Sequence, residues 1–170
     1  VQQHRMILLN ELSAYGVDKI TWMTQTHSTI CHTVNEQISF VALEGDGLVT
    51  QRRGHALMMM TADCLPVVLG NADGTEVANL HAGWLGLASG IIENTIAEMK
   101  YPELESAFIS GQTEGKYQAD LYAIARFILN SLGVEIVLGG DQCSYQQDQD
   151  YFSYRRDAKT GRMATFVFMQ

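Results

Sequence analysis

One thiol and two imidazoles stand where the chain must turn. Cys64 interrupts the oily run "MMMTADCLPVVLG" (58–70), directly after the acid Asp63. His81 closes "EVANLH" ahead of "AGWLG", and His27 closes "ITWMTQTH". A group placed where a rigid strand gives way to a loop is both held and accessible. Two chemistries suit such a trio. Two imidazoles and a thiolate can hold zinc and leave a fourth position for water. Alternatively, an imidazole can lower the thiol pKa, with Cys64 as nucleophile and His81 as base. No C-x-x-C pair singles out a metal site, so the residues alone leave both open. A plain core cysteine is the structural alternative.

Further polar residues surround these three in the sequence. Asp63 adjoins Cys64, and Asp46 lies in the turn "GDGLVT". Either suits an orienter of a ligand or a general acid/base. Asp46 also suits a turn-stabilising role. Gln25 could contact a ligand. Arg155 and Arg156 could hold an anionic group, or form a surface pair capping a strand. His4 reads as a surface residue and His55 as structural. Cys31 and His32 read as a solvent-facing loop, and Cys143 lies in the polar stretch "GGDQCSYQQDQD".

These side chains need a scaffold, and hydrophobic periodicity supplies one. Met6, Leu8, Leu9 and Leu12 form a helical stripe ending at Gly16. "KITWMTQTH", "HALMMMT", "LPVVLG", "EVANLHAG", "VEIVLGG" and "MATFVFMQ" read as strands, with a further short strand after "EGDG". Pro66 cannot donate to a ladder, which places "LPVVLG" at or near an edge. Asp73-Gly74 signals a hairpin. "GWLGLASGIIENTIAEMK" reads as one helix, and "KYQADLYAIARFILNSLG" as another with Gly133 as its C-cap. Strands outnumber helices, and hairpins mix with crossovers, which predicts a mixed-sheet α/β or α+β domain.

Composition narrows the function classes. The 170 residues fit one domain, and 46% are hydrophobic. A net charge of −8 disfavours partners bound through phosphate neutralisation, so neither nucleic acid nor an anionic membrane is expected. No apolar stretch approaches the roughly 20 residues that span a bilayer. The opening residues lack signal-peptide architecture, and three cysteines without paired spacing fit a reducing cytoplasm. The expected location is therefore cytoplasmic; oligomeric state stays open.

Five stretches occur in one order: "QTHSTICHTV", "GDGLVT", "TADCLPVVL", "HAGWLGL" and "CSYQQDQDYFSYRRDAKTGRMATFVFM". Together they resemble the laccase-domain family, also described as multicopper polyphenol oxidoreductase-like and associated with purine nucleoside phosphorylase activity. The resemblance implies a single catalytic domain over residues 1–170, folded as a layered α-β-β-α sandwich with mixed sheets. It implies a metal site, usually zinc with copper as an alternative, made of His27, Cys64 and His81. It further implies phosphorolysis of adenosine, inosine and methylthioadenosine, with purine nucleosides and phosphate as small-molecule partners, and deamination of adenosine. Copper-dependent phenol oxidation and editing of peptidoglycan precursors have also been attributed to the family. A metal-free cysteine hydrolase or deamidase using Cys64 and His81 is the rival enzyme, and a metal-binding or interaction module the non-enzymatic one.

Two departures accompany the resemblance. Leu85 stands where the family carries Arg after "HAGW", which removes a basic group that a phosphate co-substrate would use. A "GPAIG"-type stretch and an acidic connector are missing after "ESAFIS", and so are segments ahead of "HR". A shortened chain is therefore expected, with a join near Gly111-Gln112-Thr113.

Overall fold

The computed structural model describes residues 2–35, 43–99 and 120–170. The supposed join at 111–113 and the "ESAFIS" strand lie outside these residues. Helix α1 (Gln2–Ser13) leads through Gly16, at φ +84°, into β1 (Lys19–Thr21). Then follow β2 (Cys31–Thr33), β3 (Gly47–Thr50), β4 (His55–Thr61), β5 (Leu65–Gly70) and β6 (Val77–Ala82). Helices α2 (Trp84–Ser89), α3 (Ile91–Glu98) and α4 (Leu121–Ser131) precede the last strand, β7 (Met163–Val167).

Among the described residues two mixed sheets result, of order β1-β4-β7 and β2-β3-β6-β5. β1 runs parallel to β4, and β7 antiparallel to it. In the second sheet β2 and β3 are parallel, while β6 is antiparallel to both β3 and β5. The central strands β4 and β6 are buried along almost their whole length. That explains why "HALMMMT" and "VANLHA" read as nearly continuous apolar runs. β5 alternates buried and exposed residues, as an edge strand does, and carries Pro66 there as expected.

Two apolar clusters hold the layers together. Met23, Val34, Leu48, Leu57 and Met59 form one, joined by Val77 and Val167 from the two sheets. Val49, Leu80, Leu87, Ile91, Ile92 and Leu129 belong to the other, between the four-stranded sheet and α2–α4. Each fully buried Leu or Ile stabilises the fold by about 1.5–3 kcal/mol. Polar contacts also cross between the sheets. The buried Asn79 amide of β6 donates to the carbonyls of Leu57 on β4 (3.0 Å) and Thr165 on β7 (2.8 Å). The layered, mixed-sheet fold expected from the sequence is the one observed.

Three elements differ from expectation, besides the strand leading to His27. The helix foreseen after "HAGW" is two helices, because Gly90 at φ +99° caps the end of α2 and the start of α3. "VEIVLGG" forms no strand. Its carbonyls at Val137 and Gly139 accept from the Arg126 guanidinium of α4 instead of a ladder, and Gly139 and Gly140 turn it away at positive φ. Cys31 and His32 lie in β2, with Cys31 packed against the helical core.

Candidate metal centre

Strand directions bring the chemistry together. β2, β3 and β5 begin, and β6 ends, at the same end of the four-stranded sheet. His27 lies in the loop before β2, Asp46 immediately before β3, and Cys64 immediately before β5. His81 is the penultimate residue of β6, in register with Pro66. Four short sequence stretches therefore deliver their polar groups to one place. The sequence placed His27 at the end of a long strand. The strand is only Lys19–Thr21, with one further bridge at Thr24, and a loop carries the histidine.

The donor atoms of His27, Cys64 and His81 all lie within 4.8 Å of one another. Cys64 Sγ is 3.7 Å from His27 Nε2. A sulfur at ~2.3 Å and a nitrogen at ~2.0 Å from one tetrahedral ion sit about 3.6 Å apart, so this edge already has the required length. The two imidazoles meet edge to face, with centroids 4.8 Å apart and planes at 80°. Gly83 makes room for the group. A Cβ there would stand 3.0 Å from Cys64 Sγ and 3.2 Å from His27 Cδ2.

Asp46 fixes the third donor. Its Oδ1 accepts from His81 Nδ1 at 2.8 Å, which leaves Nε2 as the nitrogen offered to the trio. Its Oδ2 accepts from the Ser28 N–H (2.6 Å) and hydroxyl (2.9 Å), and from the Thr26 N–H and hydroxyl (3.2 Å each). One buried carboxylate thus orients His81 and shapes the loop bearing His27. Burial would raise its pKa, but the bonds from His81 and Ser28 outweigh that and hold it well below the usual carboxylate range. Burial would lower the His81 pKa, yet its hydrogen bonds to Asp46 and Cys64 lift it to about 9.

Backbone strain is concentrated here. His27 (φ +59°) and Asp63 (φ +104°) are the non-glycine residues with positive φ among those described. Such conformations cost of order 1–3 kcal/mol each and persist where surrounding contacts over-determine them.

The remaining sequence candidates separate into free and committed groups. Gln25 was expected to contact a ligand. Instead its amide pairs with the Met60 backbone at both ends, donating to the carbonyl (2.7 Å) and accepting from the N–H (2.8 Å). Asp46, offered by the sequence as an orienter, an acid/base or a turn residue, is fully buried with both oxygens engaged. Arg156 donates to the carbonyls of Ser144 (2.7 Å), Tyr145 (3.0 Å) and Tyr151 (2.7 Å), so it pins a loop. Asp63 accepts from Ser144 Oγ (2.9 Å) and the Arg155 N–H (2.8 Å). Burial would raise the Asp63 pKa, but bonds from Ser153, Arg155 and Ser144 lower it overall, which does not suit a proton donor. The Arg155 guanidinium makes no hydrogen bond among the described residues and is exposed.

A cleft of about 1300 Å³ opens beside the trio. Cys64, Trp84, Tyr122, Tyr151 and Arg155 are among its lining residues. Trp84 is 68% exposed, an unusual state for so large an apolar ring and one that offers a flat stacking surface. In the sequence "HAGW" the histidine stands out, whereas the roles of Trp84 and of the Gly83 gap do not. An exposed aromatic cannot be told from a core one before the fold is known. His55 is structural, as expected: buried, with Nε2 2.7 Å from Thr21 Oγ1. Cys143 is exposed.

Comparison with known proteins places this arrangement in context. The family model described as multi-copper polyphenol oxidoreductase laccase matches residues 1–110 and 100–170. A Shigella flexneri protein named purine nucleoside phosphorylase YfiH is 34% identical, covering 89% of this chain and 74% of its own length. A Pseudomonas aeruginosa protein, also named purine nucleoside phosphorylase, is 31% identical over all of this chain and 81% of its own. The crystal structure of a Neisseria meningitidis protein superposes with a TM-score of 0.81 at 36% identity, covering 100% of this chain and 81% of that one.

Proposed function

The chain belongs to the multi-copper polyphenol oxidoreductase laccase family, and from that premise we propose that it is a zinc-dependent purine nucleoside phosphorylase. The observation that carries this reading is the trio itself, with Asp46 holding the third donor in the tautomer a metal needs. His27, Cys64 and His81 would hold the ion, a donor set of one soft sulfur and two imidazoles that suits zinc. When bound, the metal supplies a Lewis acid and a position for an anionic or water nucleophile.

The chain's own residues account for the rest. Phosphorolysis forms a bond from a phosphate oxygen to C1′ of the nucleoside and breaks the C1′–N9 bond, and the departing purine takes up a proton. Arg155 presents an exposed guanidinium in the cleft that Cys64 also lines, and a guanidinium grips phosphate through two parallel donors. It supplies the charge that Leu85 does not. Trp84 offers an indole face to the purine. Asp46 holds His81 and the His27 loop in place while the anion approaches. Methylthioadenosine, whose sugar differs from that of adenosine only at the 5′ position, is a second substrate of the same reaction. Adenosine deamination is the second activity: it forms a bond from water oxygen to C6 of the purine and releases the 6-amino group as ammonia, so the base rather than C1′ would have to face the site.

Multicopper oxidation fits less well. Such chemistry needs several metal centres rich in histidine. The described residues hold one group of three donors.

The test is incubation of zinc-loaded protein with adenosine, with and without phosphate, separating adenine from inosine. Adenine formed only with phosphate supports phosphorolysis, and inosine marks deamination. Neither product from folded, zinc-loaded protein overturns the proposal. Turnover that resists a chelator but not alkylation of Cys64 favours the metal-free cysteine enzyme instead.

A further inference from the structure

Asp63 links two parts of the molecule that the sequence keeps far apart. It lies in the turn between β4 and β5, next to Cys64. Both of its carboxylate oxygens accept from the C-terminal loop: Oδ1 from Ser144 Oγ (2.9 Å) and Oδ2 from the Arg155 N–H (2.8 Å). That loop is already braced internally by Arg156 on the carbonyls of Ser144, Tyr145 and Tyr151. Asp63 therefore tethers a preformed loop to the thiol-bearing turn. The tether matters because the next group along is the Arg155 guanidinium, exposed and lining the cleft, without a hydrogen bond among the described residues but near enough to feel the Asp63 charge. The φ of +104° at Asp63 points the same way, since the turn keeps a backbone shape that an aspartate resists.

We propose that Asp63 is a positioning residue: by fixing the Arg155 backbone it sets where that cation stands relative to the Cys64 turn, and so where the site receives inorganic phosphate. This deepens the phosphorylase reading and rests on it for the identity of the anion. It also replaces the acid/base role that the sequence suggested for Asp63. A carboxylate whose oxygens already accept from a backbone N–H and a hydroxyl is a poor proton carrier, because the amide donor cannot release its hydrogen.

The experiment uses the full chain loaded with zinc, as wild type, Asp63→Asn, Arg155→Ala and the double variant. The first readout is phosphate dependence. Arg155 binds the phosphate before and during reaction alike, so losing its placement raises KM with kcat little changed. Asp63→Asn should raise KM for phosphate at least tenfold and leave the pH profile where it was. Arg155→Ala should do the same, and the double variant should be no worse than Arg155→Ala alone. The second readout is amide hydrogen exchange across residues 153–157. It should quicken in Asp63→Asn and stay slow in Arg155→Ala. Ser144→Ala removes one tether without touching the turn, and should give a smaller shift in the same direction if Asp63→Asn does not fold.

A collapse of kcat with a moved pH profile in Asp63→Asn would restore the acid/base role and overturn the proposal. Multiplying effects in the double variant, or unchanged exchange, would also overturn it. Wild type that exchanges as expected but performs no phosphorolysis would instead sink the phosphorylase reading and leave the tether standing.

Discussion

Replacing Asp46 by Asn tests how the centre is built, because it changes one atom in a group that accepts five hydrogen bonds. The amide can be placed in two ways, and both fail. With its NH2 towards His81, the ring must offer a lone pair at Nδ1 and carry its proton on Nε2, the nitrogen a metal would need. With its NH2 towards Ser28, two donors face each other at the 2.6 Å separation now bridged by a hydrogen bond. Hydrogen bonds to a charged group contribute about 1.5–3 kcal/mol each. Losing one, at roughly 1.4 kcal/mol per tenfold, weakens metal binding by about ten- to a hundredfold, the range found for partners behind a metal ligand. Zinc titration against a chromogenic chelator measures this, with circular dichroism to show that the chain is folded. Asp46→Asn protein that binds zinc within threefold of wild type would refute the reasoning.

Three other outcomes follow from features away from that carboxylate. Gly83→Ala leaves the backbone unstrained, since φ −73° and ψ 168° suit any residue, but sets a methyl 3.0 Å from Cys64 Sγ; zinc affinity should drop at least tenfold by the same titration while the thermal midpoint shifts little. His55 has its pKa pushed down to about 4 by burial and by the cations Lys19 and Arg52, below the ~6.5 of an unfolded histidine. The unfolded chain therefore takes up the proton first, and up to about 3 kcal/mol of stability present above pH 6.5 is lost as pH falls towards 4. Urea unfolding between those limits should show that slope, and His55→Gln should flatten it. Asn79→Ala strips a donor from one buried and one part-buried carbonyl on the opposite sheet; chemical denaturation should report a loss of about 2–3 kcal/mol.

Much of the centre was legible because strand ends are legible. Apolar runs located β4, β5 and β6, and the places where they stop located Cys64 and His81. Asp46 could be named as an orienter but not assigned to His81, because the antiparallel pairing of β3 with β6 joins residues 35 positions apart. Gln25, Asp63 and Arg156 look like free polar groups in a sequence. Only the folded chain reveals that the backbones of Met60, Arg155 and Tyr151 have claimed them. The same cause hid the fate of "VEIVLGG". Its β-branched residues promise a strand, but Val134 and Val137 pack on the helical core while Arg126 takes the carbonyls. β2 was missed because three residues, two of them polar, carry almost no periodic signal and depend on a distant partner.

The order in which the polypeptide is made gives the topology of the second sheet a last consequence. All four of its strands and all three metal-facing donors come from residues 27–82, whereas Arg155 and β7 arrive some seventy or more positions later. A nascent chain emerging from the ribosome therefore has every soft ligand outside the exit tunnel long before the cation that the mature site presents. An ion captured at that stage would meet a pocket that still lacks Arg155.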